Sequence, residues 1–355
     1  MSEEPEKTRR VRYSGTHPRK FEEKYKELNP DKYAADVRKV LESGRTPAGM
    51  HRPICVSEIL EVLNPQPGET GLDATLGFGG HAGDLLSRIV PGGRLFGIDV
   101  DPLELPRTES RLRGLGFDET VLTVKKLNFA GILKLLPEAG GGFDFILADL
   151  GVSSMQIDNP ERGFTFKNAG PLDLRLNPER GQPASVLIRT LSESALEKIL
   201  RINSDEPHSK AIARLIFKYR DKITTTTTLA NAVREALEPV KLADWEKEVT
   251  RSLQRTFQAL RIAVNDEFSA LDQMLLALPF ALKPGGRAAI LAFHSGEDNR
   301  VKKSFEECFK SGAYSDYSKF PIRATARERY DNPRSKCAQL RWAVKAAKNN
   351  QESAG

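Results

Sequence analysis

From about residue 50 the chain alternates short apolar runs with amphipathic stretches. Residues 56–63 have helical spacing. Residues 70–75 read as a strand, and Leu85, Leu86 and Ile89 give the following helix its apolar face. Pro91-Gly92-Gly93 turns the chain into a strand over 94–98 that ends in Asp99. Residues 120–124 and 143–147 read as two further strands, the second running into Asp149. Strands that alternate with helices predict a parallel sheet covered on both faces.

Between about residues 154 and 250 no strand pattern is found. A loop-rich stretch over 158–183 precedes helical segments at 192–202, 209–219 and 229–237. The five threonines at 224–228 supply an N-cap to the last of these. We read 154–250 as a helical insertion. The sheet pattern then resumes. Phe257, Leu260, Val264, Phe268, Leu271 and Leu275 place residues 256–278 on one long helix. Residues 283–286 read as a turn, 287–293 as a strand, 301–308 as a helix and 339–344 as a last strand. This predicts an α/β fold with a Rossmann-like, mostly parallel sheet and one reversed edge strand. The sheet domain is assigned to 50–153 and 251–347. A polar arm (1–49, with a helix over 29–43) precedes it, and a disordered tail (348–355) follows. The arm either packs on the surface or grips a nucleic-acid backbone.

Composition narrows the class. The chain has 355 residues, 29% of them charged, and a net charge of +6. The pI of about 9.1 favours a polyanionic partner without proving one. No apolar run approaches the roughly 18 residues that span a bilayer. The amino terminus lacks an apolar h-region. Cys55, Cys308 and Cys337 are odd in number and far apart, which argues against a disulfide scaffold. We expect a cytoplasmic protein that needs no membrane and no metal. The oligomeric state stays open, a homodimer included.

The chemistry concentrates after the strands. Gly77, Gly79, Gly80 and Gly83 lie between a strand and a helix, where the backbone can approach a ligand. Asp99 ends the next strand about 20 residues on, where a carboxylate can accept ribose hydroxyls. The competing reading of Asp99 is an N-cap or turn residue, but Asp101-Pro102 beside it is the more typical turn, so the ligand reading is favoured. The loop is not a clean Gly-x-Gly-x-x-Gly, carries His81, and is preceded by Asp73. An acid there suits a methionine ammonium better than a pyrophosphate, so S-adenosylmethionine is favoured over a dinucleotide. The run Asp149-Leu150-Gly151-Val152-Ser153-Ser154-Met155-Gln156 ends the fourth strand, where ligands and chemistry meet in open parallel sheets. Acceptors at Asp149, Ser153 and Ser154 could orient an amine. No cysteine lies in this motif, so a covalent cytosine route is excluded.

These segments resemble the bacterial MraW/RsmH family, enzymes that use S-adenosylmethionine to methylate the N4 amine of a cytidine in the decoding region of 16S ribosomal RNA. The resemblance rests on residues 76–81, 98–102, 149–154, 161–166, 170–175, 256–261, 293–295 and 332–335, in family order. It implies that Gly79, Gly80 and His81 line the cofactor site, that Asp99 holds the ribose, that Phe129 lies against the adenine, and that Asp149 and Gln156 complete the pocket. It implies 16S rRNA in the small ribosomal subunit as partner. Arg162, Arg175, Arg180, His294, Arg334 and the basic stretch Arg323, Arg327, Arg329 and Lys336 are the candidate RNA contacts. For any one arginine a solvated charged face is as good a reading. Three features depart from the family: Ser204-Asp205-Glu206-Pro207-His208, Gly296 after Phe293-His294-Ser295, and the arm itself, so the chain resembles a second-type member. A different RNA site, a DNA amine or a noncatalytic assembly role are the alternatives.

Overall fold

The computed structural model describes residues 53–240 and 244–347. The expected arm, its helix and the tail lie outside the described residues. The elements in chain order are α1 (Val56–Leu63), β1 (Thr70–Asp73), α2 (Gly80–Ile89), β2 (Arg94–Asp99), α3 (Leu105–Gly114), β3 (Leu122–Lys126) and β4 (Phe143–Asp149). Then come α4 (Ser154–Asp158), α5 (Ala184–Thr190), α6 (Glu193–Ser204), α7 (Ser209–Tyr219), α8 (Thr226–Leu237), α9 (Trp245–Asn265) and α10 (Glu267–Ala281). The chain ends through β5 (Leu282–Ala292), α11 (Ser295–Lys310), β6 (Tyr314–Tyr317), α12 (Ala326–Asp331) and β7 (Gln339–Lys345). Short 3-10 turns sit at Phe129–Leu135, Pro160–Arg162 and Pro333–Cys337.

The strands form one sheet in the order β3-β2-β1-β4-β5-β7-β6. The pairs from β3 through β5 are parallel. Each strand alternates its apolar side chains between two cores. Phe96, Ile98, Ile146 and Ala148 pack under α10 with Met274 and Leu278. Leu95, Phe145 and Leu147 pack on the other face with Ile59, Leu85 and Leu86. A third core is mostly helical and joins Leu196, Leu200, Ile212, Ile216, Val233 and Leu260 with Leu172 and Leu174 of the preceding loop.

Three expectations are corrected. The reversed strand exists, but it is not at the edge: β7 runs antiparallel between β5 and β6, and the short β6 takes the edge. The long helix over 256–278 is two helices. Asp266 adopts φ 50°, ψ 41°, a left-handed conformation that ends α9 and lets α10 start in a new direction. The 283–286 turn is a bulge inside β5, because Phe143 pairs with Leu282 while Phe145 already pairs with Arg287. The threonine run behaves as expected. Thr225 caps α8 and forms a capping box with Thr228.

Candidate active site

β2, β1 and β4 are adjacent and parallel, and their carboxyl ends are Asp99, Asp73 and Asp149. Neighbouring strands lie about 4.8 Å apart, so the topology lines three carboxylates along one edge. The loop between β1 and α2 sits over them. Gly79 has φ +71°, and a Cβ there would come within 2.8 Å of Thr108 Cγ2. Only glycine holds that turn without moving α3. Thr108 Oγ1 donates to Gly77 O at 2.6 Å and fastens the loop from the other side. Phe78 lies beneath the Arg111 guanidinium, 3.6 Å from ring centre to Cζ.

Asp99 accepts the Gly77 N–H at 2.8 Å on Oδ2 and the Asp101 N–H at 2.9 Å on Oδ1. A carboxylate offers about four lone-pair sites, so acceptor capacity remains for two hydroxyls. Burial pushes its proton affinity up, against those two backbone hydrogen bonds. Asp73 is buried, and Oδ1 accepts the Thr75 N–H at 3.1 Å. Burial raises its pKa from 3.8 to about 7, with His81 and the Thr75 N–H pulling the other way. Asp149 N donates to Thr75 Oγ1 at 2.6 Å, which ties β4 to β1. His81 Nε2 lies 3.6 Å from Asp149 Oδ2, an ion-pair separation rather than a hydrogen bond. Burial works against a charged His81, yet Asp149 and then Asp73 outweigh it and raise its pKa. His81 Nε2 and Asp149 Oδ1 are both buried without a hydrogen-bond partner. Three carboxylates at adjacent strand ends, with unpartnered polar atoms beside them, suit a cationic, hydrogen-bonding ligand. A pyrophosphate would be repelled there.

Other predicted residues are placed differently. Ser153 is the N-cap of α4, where its hydroxyl accepts the Gln156 N–H and its own N–H donates to Gln156 Oε1. Ser154 opens that helix. Gln156 Nε2 donates to Asp101 Oδ2 at 2.7 Å, and Arg162 Nη1 donates to the same oxygen at 2.8 Å. Arg162 Nη2 donates to the carbonyls of Arg175 and Leu176. Arg162 is thus buried and committed to the protein, so its guanidinium is not presented to RNA. Arg175 donates to Asp173 at 2.8 and 2.7 Å, and Arg334 to Asp158 at 3.0 Å. Arg180 closes a turn through its N–H to Asn177 O. His294 caps α11, accepting the Glu297 N–H at 3.4 Å, and its ring packs against Phe268. Phe129 starts a 3-10 turn capped by Asn128 and packs on the core under α10.

Asp101 is the residue that a sequence reading takes for a turn. It is fully buried, and its side chain also accepts the Leu103 N–H at 2.9 Å. The only sequence signal for its role is that a charged residue at a buried strand end needs a charged partner, and Arg162 lies 61 residues on. Gly296 also gains an explanation. A Cβ there would come within 2.7 Å of Phe268 Cζ, so glycine makes room for the Phe268 ring between His294 and Arg300. Cys55, Glu58 and Glu328 bring three potential ligand atoms within 4.8 Å of one another. Burial pushes the Cys55 thiol up to about 12, which keeps it protonated, and Glu328 Oε1 accepts the Cys55 N–H. No helix among the described residues is long and apolar enough to cross a membrane.

Residues 48–346 match the model of the MraW methylase family. The chain is 54% identical over 346 residues to Ribosomal RNA small subunit methyltransferase H 2 of Alkaliphilus metalliredigens, covering 97% of this chain and 99% of that protein. It is 50% identical to Ribosomal RNA small subunit methyltransferase H 1 of Lachnoclostridium phytofermentans over 97% of this chain and 95% of that one. Ribosomal RNA small subunit methyltransferase H of Heliobacterium modesticaldum is 38% identical, covering 83% of this chain and 98% of its own. The first two alignments cover 97% of this chain, so they take in most of the segment that precedes the family match.

Proposed function

This chain belongs to the MraW methylase family, and from that premise we propose that it methylates the N4 amine of a cytidine in 16S ribosomal RNA of the small subunit. The observation that carries this reading is the line of Asp99, Asp73 and Asp149 beneath the glycine loop, with Asp149 Oδ1 and His81 Nε2 buried and unspent. S-adenosylmethionine, when bound, supplies a methyl group on a sulfonium, which an amine lone pair can take in one in-line displacement.

The chain's own residues do the rest. Gly79 and Gly80 let the backbone approach the cofactor. Asp99 keeps lone pairs that would accept the ribose hydroxyls, Asp73 would meet the ammonium, and Phe129 would lie against the adenine. A cytosine amine is a poor nucleophile because its lone pair is delocalised into the ring. Asp149, whose side chain is partly exposed, can accept one of its hydrogens, draw the nitrogen toward sp³ geometry and take the proton it must lose. His81 holds that carboxylate in place from 3.6 Å. Ser153 and Gln156 support the site indirectly: they fix α4 and lock the loop after β4 to Asp101. Positioning supplies most of the remaining rate. The target base has to be unstacked or offered by a loop to enter such a site. Arg175 and Arg334 would contact the RNA, each already oriented by a carboxylate.

Incubation with methyl-labelled S-adenosylmethionine and small ribosomal subunits, followed by nucleoside mass spectrometry, tests the reading. It expects label in N4-methylcytidine. Cofactor binding with no labelled cytidine would point to a noncatalytic assembly role instead, and label in DNA alone to a DNA enzyme.

A further inference from the structure

We propose that residues 319–336 form a stacking platform for single-stranded RNA, with Phe320 and Tyr330 as the two rings that take bases. The inference rests on the RNA reading above. Phe320 is 83% exposed and Tyr330 87% exposed, the two highest values among the exposed large hydrophobic residues described. One exposed apolar side chain needs no explanation. These two share a stretch that carries Lys319, Arg323, Arg327, Arg329, Arg334 and Lys336 against Glu328 and Asp331. Six basic and two acidic residues leave +4 there, in a chain whose total is +6.

The segment is anchored, so the rings are held out rather than left loose. On one side of Phe320, Ser318 N donates to Trp342 O at 2.9 Å, and Ser318 Oγ accepts the Trp342 N–H at 3.0 Å. On the other, Ile322 and Leu340 exchange two backbone hydrogen bonds of 2.8 and 2.9 Å. Tyr330 rides on α12, which Thr325 caps. The paired Arg327 keeps 93% of its side chain in solvent. A preorganised ring loses little entropy when a base stacks on it. Rings interleaved with cations are what a single strand needs: every base has a π-face, and its phosphates follow a basic track.

The platform also reaches the proposed catalytic edge. Glu328 Oε1 accepts the Cys55 N–H at 3.0 Å, and Pro53 packs on Gly80, where a Cβ would come within 2.4 Å of Pro53 Cγ. Arg334 holds Asp158 at the end of α4, five residues after Ser153. RNA lying on the segment is therefore next to the loop that would bind the cofactor.

The test measures full-length wild type, Phe320→Ala, Tyr330→Ala, Tyr330→Phe and Arg327→Gln/Arg329→Gln. Each is titrated with a short fluorescein-labelled single-stranded RNA and with a duplex of the same sequence. Each alanine variant is expected to lose about tenfold in single-strand affinity, while Tyr330→Phe keeps it. The glutamine pair is expected to lower the salt slope by about one to two. S-adenosylmethionine affinity and melting temperature should not move. Wild-type single-strand affinity in both alanine variants overturns the proposal, and so does an equal loss on duplex RNA. Methyl transfer by wild type to small subunits is scored in parallel. Its absence would sink the functional reading, while the RNA titrations still decide the platform.

Discussion

Two buried polar clusters lie within a few residues of each other at the carboxyl ends of β1, β2 and β4, and they differ in what they leave over. In one, Asp101 meets Gln156, Arg162 and the Leu103 N–H, and Arg162 Nη2 donates to two carbonyls. In the other, Asp73, His81 and Asp149 face one another with Asp149 Oδ1 and His81 Nε2 unpartnered. Buried polar atoms are normally satisfied, because each one left open costs about 1–3 kcal/mol. The closed cluster thus reads as a brace that fixes the loop after β4. The open one reads as a site whose missing partners come with the ligand and the substrate.

The difference can be broken by substitution. The largest effect is expected at Asp149→Asn, which keeps the shape and removes the proton acceptor. Transfer to small subunits should fall about 10²- to 10⁴-fold, measured by label incorporation, with the fold intact. Unchanged turnover would take Asp149 out of the mechanism. In the closed cluster, Arg162→Met strands a buried Asp101 charge and should cost about 3–5 kcal/mol in urea unfolding. Pairing it with Asp101→Asn should recover part of that loss. A cost near zero would mean that the brace is not holding the loop.

Gly296→Leu should cost about 1–3 kcal/mol through the clash with Phe268. Phe268→Ala in the same chain should relieve it, as read from the melting temperature. This probes a packed neighbour of the site. If leucine is tolerated with Phe268 in place, the glycine is not there to make room for that ring. The smallest effect is a pH slope. Asp73 titrates near 7 in the folded protein and near 4 when unfolded. The folded chain therefore keeps a proton that the unfolded chain releases between those values. The stability this brings is present below about pH 4 and is lost as pH rises toward 7. The slope contributed by this residue is at most about 1.4 kcal/mol per pH unit. Asp73→Asn should flatten it.

The two clusters were not equally legible. The open one is assembled from parts that each carry a local signal: Asp73, Asp99 and Asp149 each end a strand whose apolar run and following turn are visible in the chain. Strand ends set by turn chemistry carry their own signal. The closed cluster joins Asp101 to partners 55 and 61 residues away, and no local pattern records such a pairing. The same logic covers the errors of fold. The break at Asp266 interrupts an apolar periodicity that continues across it, because one left-handed residue changes direction without changing the pattern. β6 spans four residues, Tyr314–Tyr317, with only Tyr314 fully buried. So short an edge strand is set by its pairing with β7 more than by its own sequence.

The central claim is that the open cluster is the cofactor site, and the most direct measurement is a thermal shift with and without S-adenosylmethionine in wild type, Asp73→Asn and Asp149→Asn. Ligand binding to the folded state alone raises its stability by an amount set by concentration over Kd. The account predicts a clear rise for wild type. It predicts an unliganded melting temperature at or above wild type for Asp73→Asn, which removes a buried acid, and a shift reduced to a small fraction in both variants. Equal shifts in all three proteins would contradict it.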